Sequence, residues 1–182
     1  GKRVVVCRVG LSHSELLRPS KAAERIEKTS QSKNILFMGD MRPRKGWFDF
    51  WTAMDYVHKE KPDARVWFVS KDRCEIPSSI PCQFYYRPDR KEIGRLMASC
   101  DVFVSASWWE SFGIPPLEAM ACGAPVVMTD SRGGREYARH LENCLIVPIH
   151  EPLQLAKAII KILDDPLLEA LFRKNGPKMA AE

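Results

Sequence analysis

Residues 101–129 read DVFVSASWWESFGIPPLEAMACGAPVVMT, and their pattern decides the fold. Val102–Ser105 is a short apolar run with β-branched residues, as expected of a strand covered on both faces. A polar loop follows, and then a helical pattern over Pro115–Cys122. That pattern opens on Pro115 and Pro116. A helix tolerates proline in its first turn, where the missing N–H would be unpaired anyway. Gly123 closes it as a C-cap, and Pro125–Thr129 returns to a strand.

The same alternation extends in both directions. Further strands are expected at Val4–Cys7, Ile35–Met38, Val66–Val69, Phe84–Tyr86 and Cys144–Val147. Helices are expected at Trp47–Lys59, Lys91–Ala98, Pro152–Leu163 and Leu167–Lys174. In the first of these, Phe50, Trp51, Met54 and Val57 form a buried stripe at three- and four-residue spacing. The last two are split at Asp164-Asp165-Pro166, a turn or cap. Ser12–Asn34 is polar and charged, a connecting segment with one helix at Lys21–Lys28. Strand–helix–strand repetition with short connectors implies an α/β fold: a Rossmann-like, doubly wound parallel sheet. All 182 residues are read as one domain, with 1–34 leading into it.

Ligands of such sheets bind beyond the carboxyl ends of the strands, so the loops after the strands carry the chemistry. Glu110 stands in the loop after Val102–Ser105, and Glu118 on the first turns of the helix. Each carboxylate can accept several hydroxyl hydrogen bonds, which suits a polyhydroxylated ligand. Gly113 lets the backbone approach a ligand. The N–H groups of Phe112, Gly113 and Ile114 precede the helix, where its dipole favours an anion. Together these form a socket for a sugar phosphate. Taken without their surroundings, Glu110 is a surface carboxylate and Glu118 a helix N-terminal acid.

The surroundings resemble a known family. Glu110-Ser111-Phe112-Gly113-Ile114-Pro115, then Glu118-Ala119 and Cys122-Gly123-Ala124-Pro125-Val126-Val127, is similar to the Glu-x7-Glu motif of retaining GT-B glycosyltransferases, family 4 or group 1. Gly133–Tyr137 and Glu142–Pro148 resemble the next two blocks. Gly39-Asp40-Met41-Arg42-Pro43-Arg44-Lys45-Gly46 resembles the Gly-Arg-Leu-x-x-x-Lys-Gly loop that grips the donor diphosphate. Lys45 matches that loop, whereas Asp40 stands where arginine is usual. An acid beside a diphosphate is unfavourable, so Arg42 or Arg44 is expected to substitute. The resemblance implies the C-terminal, donor-binding domain of a GT-B fold. In it Glu110 and Lys45 are catalytic, with Glu110 on the donor sugar and Lys45 on the leaving diphosphate. Glu118 takes the ribose hydroxyls, Phe112, Gly113 and Ile114 hold the sugar, and Arg42 or Arg44 supports the diphosphate. Val4–Pro19 resembles the hinge strand that opens such a domain. The acceptor domain is therefore expected to lie outside this sequence, and the chain to transfer little sugar alone. The implied partners are a nucleotide-sugar donor and a saccharide or lipid-linked acceptor. No cofactor and no metal are expected.

The bulk properties agree with a globular domain: 45% of residues are hydrophobic, 28% are charged, and the net charge is +5. Residues 1–46 hold eleven Lys and Arg against Glu15, Glu24, Glu27 and Asp40. That surplus fits an anionic ligand, a phosphate-rich membrane surface or nucleic acid without choosing among them, and a solvated basic face explains it as well. No aromatic-basic interleaving supports nucleic acid, and none is expected as a partner. No strand is followed by Gly-x-Gly-x-x-Gly, which argues against a dinucleotide oxidoreductase. No apolar run approaches the ~20 residues of a membrane span, and no signal peptide is recognised. The chain is expected in the cytoplasm, with peripheral contact at the inner membrane face left open. Cysteines 7, 74, 82, 100, 122 and 144 read as reduced thiols packed as small apolar groups. A non-catalytic nucleotide- or partner-binding module of the same fold stays open, because of Asp40.

Overall fold

The computed structural model describes residues 32–77 and 80–181. The expected strand at Val4–Cys7, the helix at Lys21–Lys28 and the hinge resemblance lie outside the described residues. The chain runs β1 (Lys33–Met38), α1 (Trp47–Glu60), β2 (Ala64–Ser70), β3 (Cys82–Tyr86), α2 (Arg90–Ser99), β4 (Val102–Ser105), α3 (Ile114–Ala121), β5 (Val126–Thr129), β6 (Leu145–Val147), α4 (Pro152–Asp164) and α5 (Pro166–Ala180).

The six strands lie in the order β3-β2-β1-β4-β5-β6, and every neighbouring pair is parallel. Ile35 of β1 aligns with Val66 on one side and Val102 on the other. The chain thus builds outward from β1 to β3, then returns to β4 and builds the other way. The reversal point is the β1/β4 boundary, where an open α/β sheet leaves a crevice at its carboxyl edge.

Strand residues alternate between two cores, because successive side chains point to opposite faces. On one face Ile35, Phe37 and Phe68 pack with Phe50 and Trp51 of α1, Leu155 and Ile159 of α4 and Phe172 of α5. The Phe37 and Phe50 rings stack with centroids 3.9 Å apart. On the other face Leu36, Trp67 and Phe103 pack with Leu96 and Met97 of α2 and Met120 of α3.

The last helix is longer than its sequence pattern suggests. It runs to Ala180 and carries Pro177 inside it, although an internal proline costs a helix a hydrogen bond. Packing offsets that cost. Gly176 lies against α3 so closely that a Cβ there would be 3.1 Å from the Met120 carbonyl oxygen. Arg173 donates to the carbonyls of Gly123 and Cys100 at 3.0 and 2.9 Å. Asp165 caps the same helix, its Oδ1 accepting from the N–H groups of Leu167 and Leu168 at 3.0 Å each.

Candidate functional site

Three loops meet at the carboxyl edge. The first follows β1 and winds Pro43–Lys45 into a single 3-10 turn. Gly46 then turns the chain into α1 with φ +68°, a left-handed conformation that glycine adopts without steric cost. Gly46 also touches the second loop, for a Cβ on it would sit 1.9 Å from the Ala106 carbonyl oxygen. The Trp108 N–H donates to the Arg44 carbonyl at 2.9 Å. The loops after β1 and β4 are therefore joined through their backbones at the reversal point.

The loop after β4 carries Glu110, and the loop after β5 supports it from the other side. The Glu110 N–H donates to the Ser131 carbonyl at 3.1 Å. The Thr129 hydroxyl donates to the Ser107 carbonyl at 2.5 Å. Gly133 fits beneath the turn, where a Cβ would be 2.6 Å from the Glu110 carbonyl oxygen. The Tyr137 hydroxyl donates to the Gly113 carbonyl at 2.5 Å. Burial and the Cys144 and Glu110 charges raise the phenol's pKa above its ordinary value, so it stays protonated and able to donate.

Lys45 and Glu110 are 65 residues apart in sequence, yet Lys45 Nζ donates to Glu110 Oε1 at 2.6 Å. The Ser107 hydroxyl donates to the same oxygen at 2.9 Å. Arg44 Nη1 lies 3.6 Å from Glu110 Oε2 and 3.4 Å from the Trp109 carbonyl oxygen. Arg42 is held elsewhere. Its Nε and its backbone N–H both donate to Asp40 Oδ1, at 2.7 and 3.0 Å, and its Nη2 pairs with Oδ2. The Arg42 guanidinium keeps the Asp40 carboxyl below its ordinary pKa, against a smaller opposing push from burial. The acid in the arginine position is thus neutralised by its own loop.

Glu118 lies deeper, on α3 and 5% exposed. Its Oε1 accepts from Arg90 Nη2 at 2.6 Å. Gly113 precedes the helix with φ +79°. No hydrogen bond among the described residues uses the N–H groups of Phe112, Gly113 or Ile114. Phe112 packs its ring against Tyr137, centroids 5.6 Å apart, while Ile114 is exposed. Trp108 packs under the loop, its indole N–H donating to Asp49 Oδ2 at 2.6 Å and its ring against His150. Trp109 faces out, 52% exposed.

The topology therefore brings Lys45, Arg44, Glu110, Gly113 and Glu118 to one edge of the sheet. Arg42 sits on the same loop but is committed to Asp40. Phe84 is half-buried against Phe68, whereas Tyr86 is exposed with the guanidinium carbons of Arg73 and Arg87 at 5.5 and 5.3 Å from its ring centre. Sequence reasoning missed Ser107, Arg90 and the role of Tyr137. The first two follow or begin elements at the ligand edge, which was the available signal. Nothing local marks Tyr137 as the phenol beneath Gly113.

Among the described residues no group of three His, Cys, Asp or Glu is placed to hold a metal ion. Nor is any described helix long and apolar enough to cross a membrane. No disulfide joins the five described cysteines to one another.

The family profile described as "Glycosyl transferases group 1" matches residues 20–179. A probable sucrose-phosphate synthase of Beta vulgaris is 37% identical over 91 residues, covering 50% of this chain and 9% of that protein. The D-inositol 3-phosphate glycosyltransferase of Thermobispora bispora is 26% identical over 201 aligned positions, covering 99% of this chain and 47% of its own length. The chain thus spans half or less of these relatives. Two solved structures share the fold. The C-terminal domain of a glycosyl transferase group 1 family protein from Francisella tularensis superposes with a TM-score of 0.76 at 22% identity, covering 92% of this chain and 95% of that one. Anabaena HepE, in complex with UDP-glucose, gives 0.79 at 21% identity, covering 94% of this chain and 51% of that one.

Proposed function

The chain belongs to the group 1 glycosyl transferases, and from that premise we propose that it is the donor-binding half of an enzyme moving a hexosyl unit from a nucleoside diphosphate sugar to an acceptor, with retention at the transferred carbon. The observation that carries this reading is the pairing of Lys45 with Glu110 at the sheet's reversal point. Without a donor, the ammonium and the carboxylate neutralise each other. A diphosphate arriving there offers Lys45 a more highly charged anion, and Lys45 turns to it. Glu110 is thereby released to accept hydrogen bonds from the sugar hydroxyls, with Ser107 still orienting it.

As the sugar–phosphate bond breaks, negative charge grows on the leaving diphosphate. Lys45 and Arg44 meet that charge in a partly water-excluded site, where preorganised cations contribute most to rate. Arg42, turned by Asp40, forms the outer rim of the same cationic loop. The unengaged N–H groups of Phe112, Gly113 and Ile114 add donors at the start of α3. Glu118 accepts from the ribose. This chemistry needs no resident metal. The acceptor, a saccharide or lipid-linked saccharide, is held by another part of a longer protein, and this chain alone transfers little sugar. The work is done in the cytoplasm, where a peripheral contact with the inner membrane face would bring in a lipid-linked acceptor. The HepE complex with UDP-glucose supports a nucleotide-sugar donor by likeness of fold.

Calorimetric titration with UDP, GDP and ADP, and with their sugar conjugates, tests the reading. One nucleoside diphosphate should bind, and its sugar form more tightly. Glu118→Ala should weaken both about tenfold or more, the loss of charge-assisted hydrogen bonds. Glu110→Ala should leave the free nucleotide nearly untouched and erase the preference for the sugar form. The opposite ranking would overturn the role assignment. Nucleotide binding without any sugar preference would favour the non-catalytic module instead.

A further inference from the structure

We infer that Arg90 is a positioning residue for the nucleotide: it holds the Glu118 carboxylate so that one oxygen stays turned to the ribose hydroxyls. The inference rests on the donor reading above and concerns a residue that no part of the family motif contains.

Glu118 is 5% exposed. A carboxylate buried to that degree is costly unless paired, and Arg90 supplies the pairing at 2.6 Å through a single contact, Nη2 to Oε1. A bidentate fork would occupy both oxygens. The one-sided contact leaves Oε2 for a ligand. The hydrogen bond to Glu118 in turn raises Arg90 above its ordinary pKa, so the guanidinium stays charged.

The backbone of Arg90 is anchored independently of Glu118. The Arg87 N–H donates to the Ser70 carbonyl at 2.9 Å, which ties the strand end to β2. Asp89 then caps α2, its Oδ1 accepting from the Glu92 N–H at 2.7 Å. Arg90 is the first residue of that helix and so stands at the carboxyl edge of the sheet, 28 residues from the acid that it holds. Its side chain is 37% exposed against 7% for that of Glu118. The guanidinium is thus the more exposed member of the pair and the carboxylate the buried one. Arg90 thereby selects which rotamer of Glu118 the ligand meets. Without it the carboxylate is free to turn away from the crevice, and the ribose loses a fixed double acceptor.

The test compares a nucleoside diphosphate with its 2′,3′-dideoxy form, bound to the intact chain and read by calorimetry. Wild-type protein should prefer the ribose form. Arg90→Ala should weaken the ribose form about tenfold and leave the dideoxy form within twofold, so that the discrimination disappears. Arg90→Lys, which keeps the charge without the planar fork, should restore part of the discrimination. Thermal unfolding of each variant accompanies the titrations. An Arg90→Ala protein that folds and keeps the wild-type preference overturns the inference alone, as does one that loses both ligands equally. A wild-type chain that binds no nucleoside diphosphate overturns the donor reading and this inference together.

Discussion

The loop that carries Glu110 and the helix that carries Glu118 adjoin in sequence, yet they hold their acids in opposite ways. Residues 106–113 have no regular structure of their own, and their shape is imposed from outside. Arg44, Thr129, Ser131, Gly133 and Tyr137 all touch that backbone. On the side chain, Lys45, Ser107 and Arg44 crowd one carboxylate. On the proposed reading these partners are exchangeable, since Lys45 and Arg44 would move to a phosphate. In α3 the backbone supports itself, and Glu118 has one partner on a neighbouring helix. The contrast separates two duties. A group that responds to the ligand needs several replaceable partners on a rigid backbone. A group that presents a fixed acceptor needs one permanent partner and burial.

The largest test of the externally imposed loop is Gly46→Ala. The new methyl would need φ +68° and would meet the Ala106 carbonyl oxygen at 1.9 Å, so the two loops must separate. Destabilisation of about 3 kcal/mol or more is expected in urea unfolding, together with loss of nucleotide binding. An Ala variant as stable as wild type would show that the loops are not clamped. Tyr137→Phe is a milder probe. It removes the hydroxyl beneath the Gly113 carbonyl and should cost about 1 kcal/mol, with donor affinity falling while the fold remains. A larger fall in free-nucleotide affinity than in sugar preference would move Gly113 from the sugar to the phosphate.

The smallest expected effect concerns the β1 loop. Asp40 has a folded-state pKa below its ordinary value near 3.8. Its contribution to stability is therefore complete above that value and is lost as pH falls through the lower, folded one. Asp40→Asn should lose that small contribution near neutrality and converge with wild type as pH falls, so that the acid limb of the stability–pH curve flattens in that window. The same variant frees Arg42. Tighter diphosphate binding would mean that Asp40 had been withholding a cation, and weaker binding that it had been aiming one.

Most of the architecture was legible from local pattern. The strand Val102–Ser105 was bounded as expected, and the other described strands and helices were found within two residues at each end, apart from the end of α5. Gly176 and Pro177 both disfavour a helix interior, and the close fit against Met120 explains why the helix continues through them. Lys45 and Glu110 were each legible as candidates, but their contact was not. Arg90 had only its place at the start of a helix on the ligand edge to mark it, since a cation opening a helix has no local signature that distinguishes it from a solvated one.

The sequence by itself determined the alternation of strand and helix, the two carboxylates eight positions apart and the glycine between them. Those depend on hydrophobic period, proline and glycine, which act within a few residues. The tertiary structure alone decided the strand order, and with it the adjacency of β1 and β4. That adjacency places a lysine on a glutamate 65 residues away and an arginine on another 28 residues away. Such pairings arise from how the sheet is wound, a cooperative property of the whole chain that no local stretch encodes.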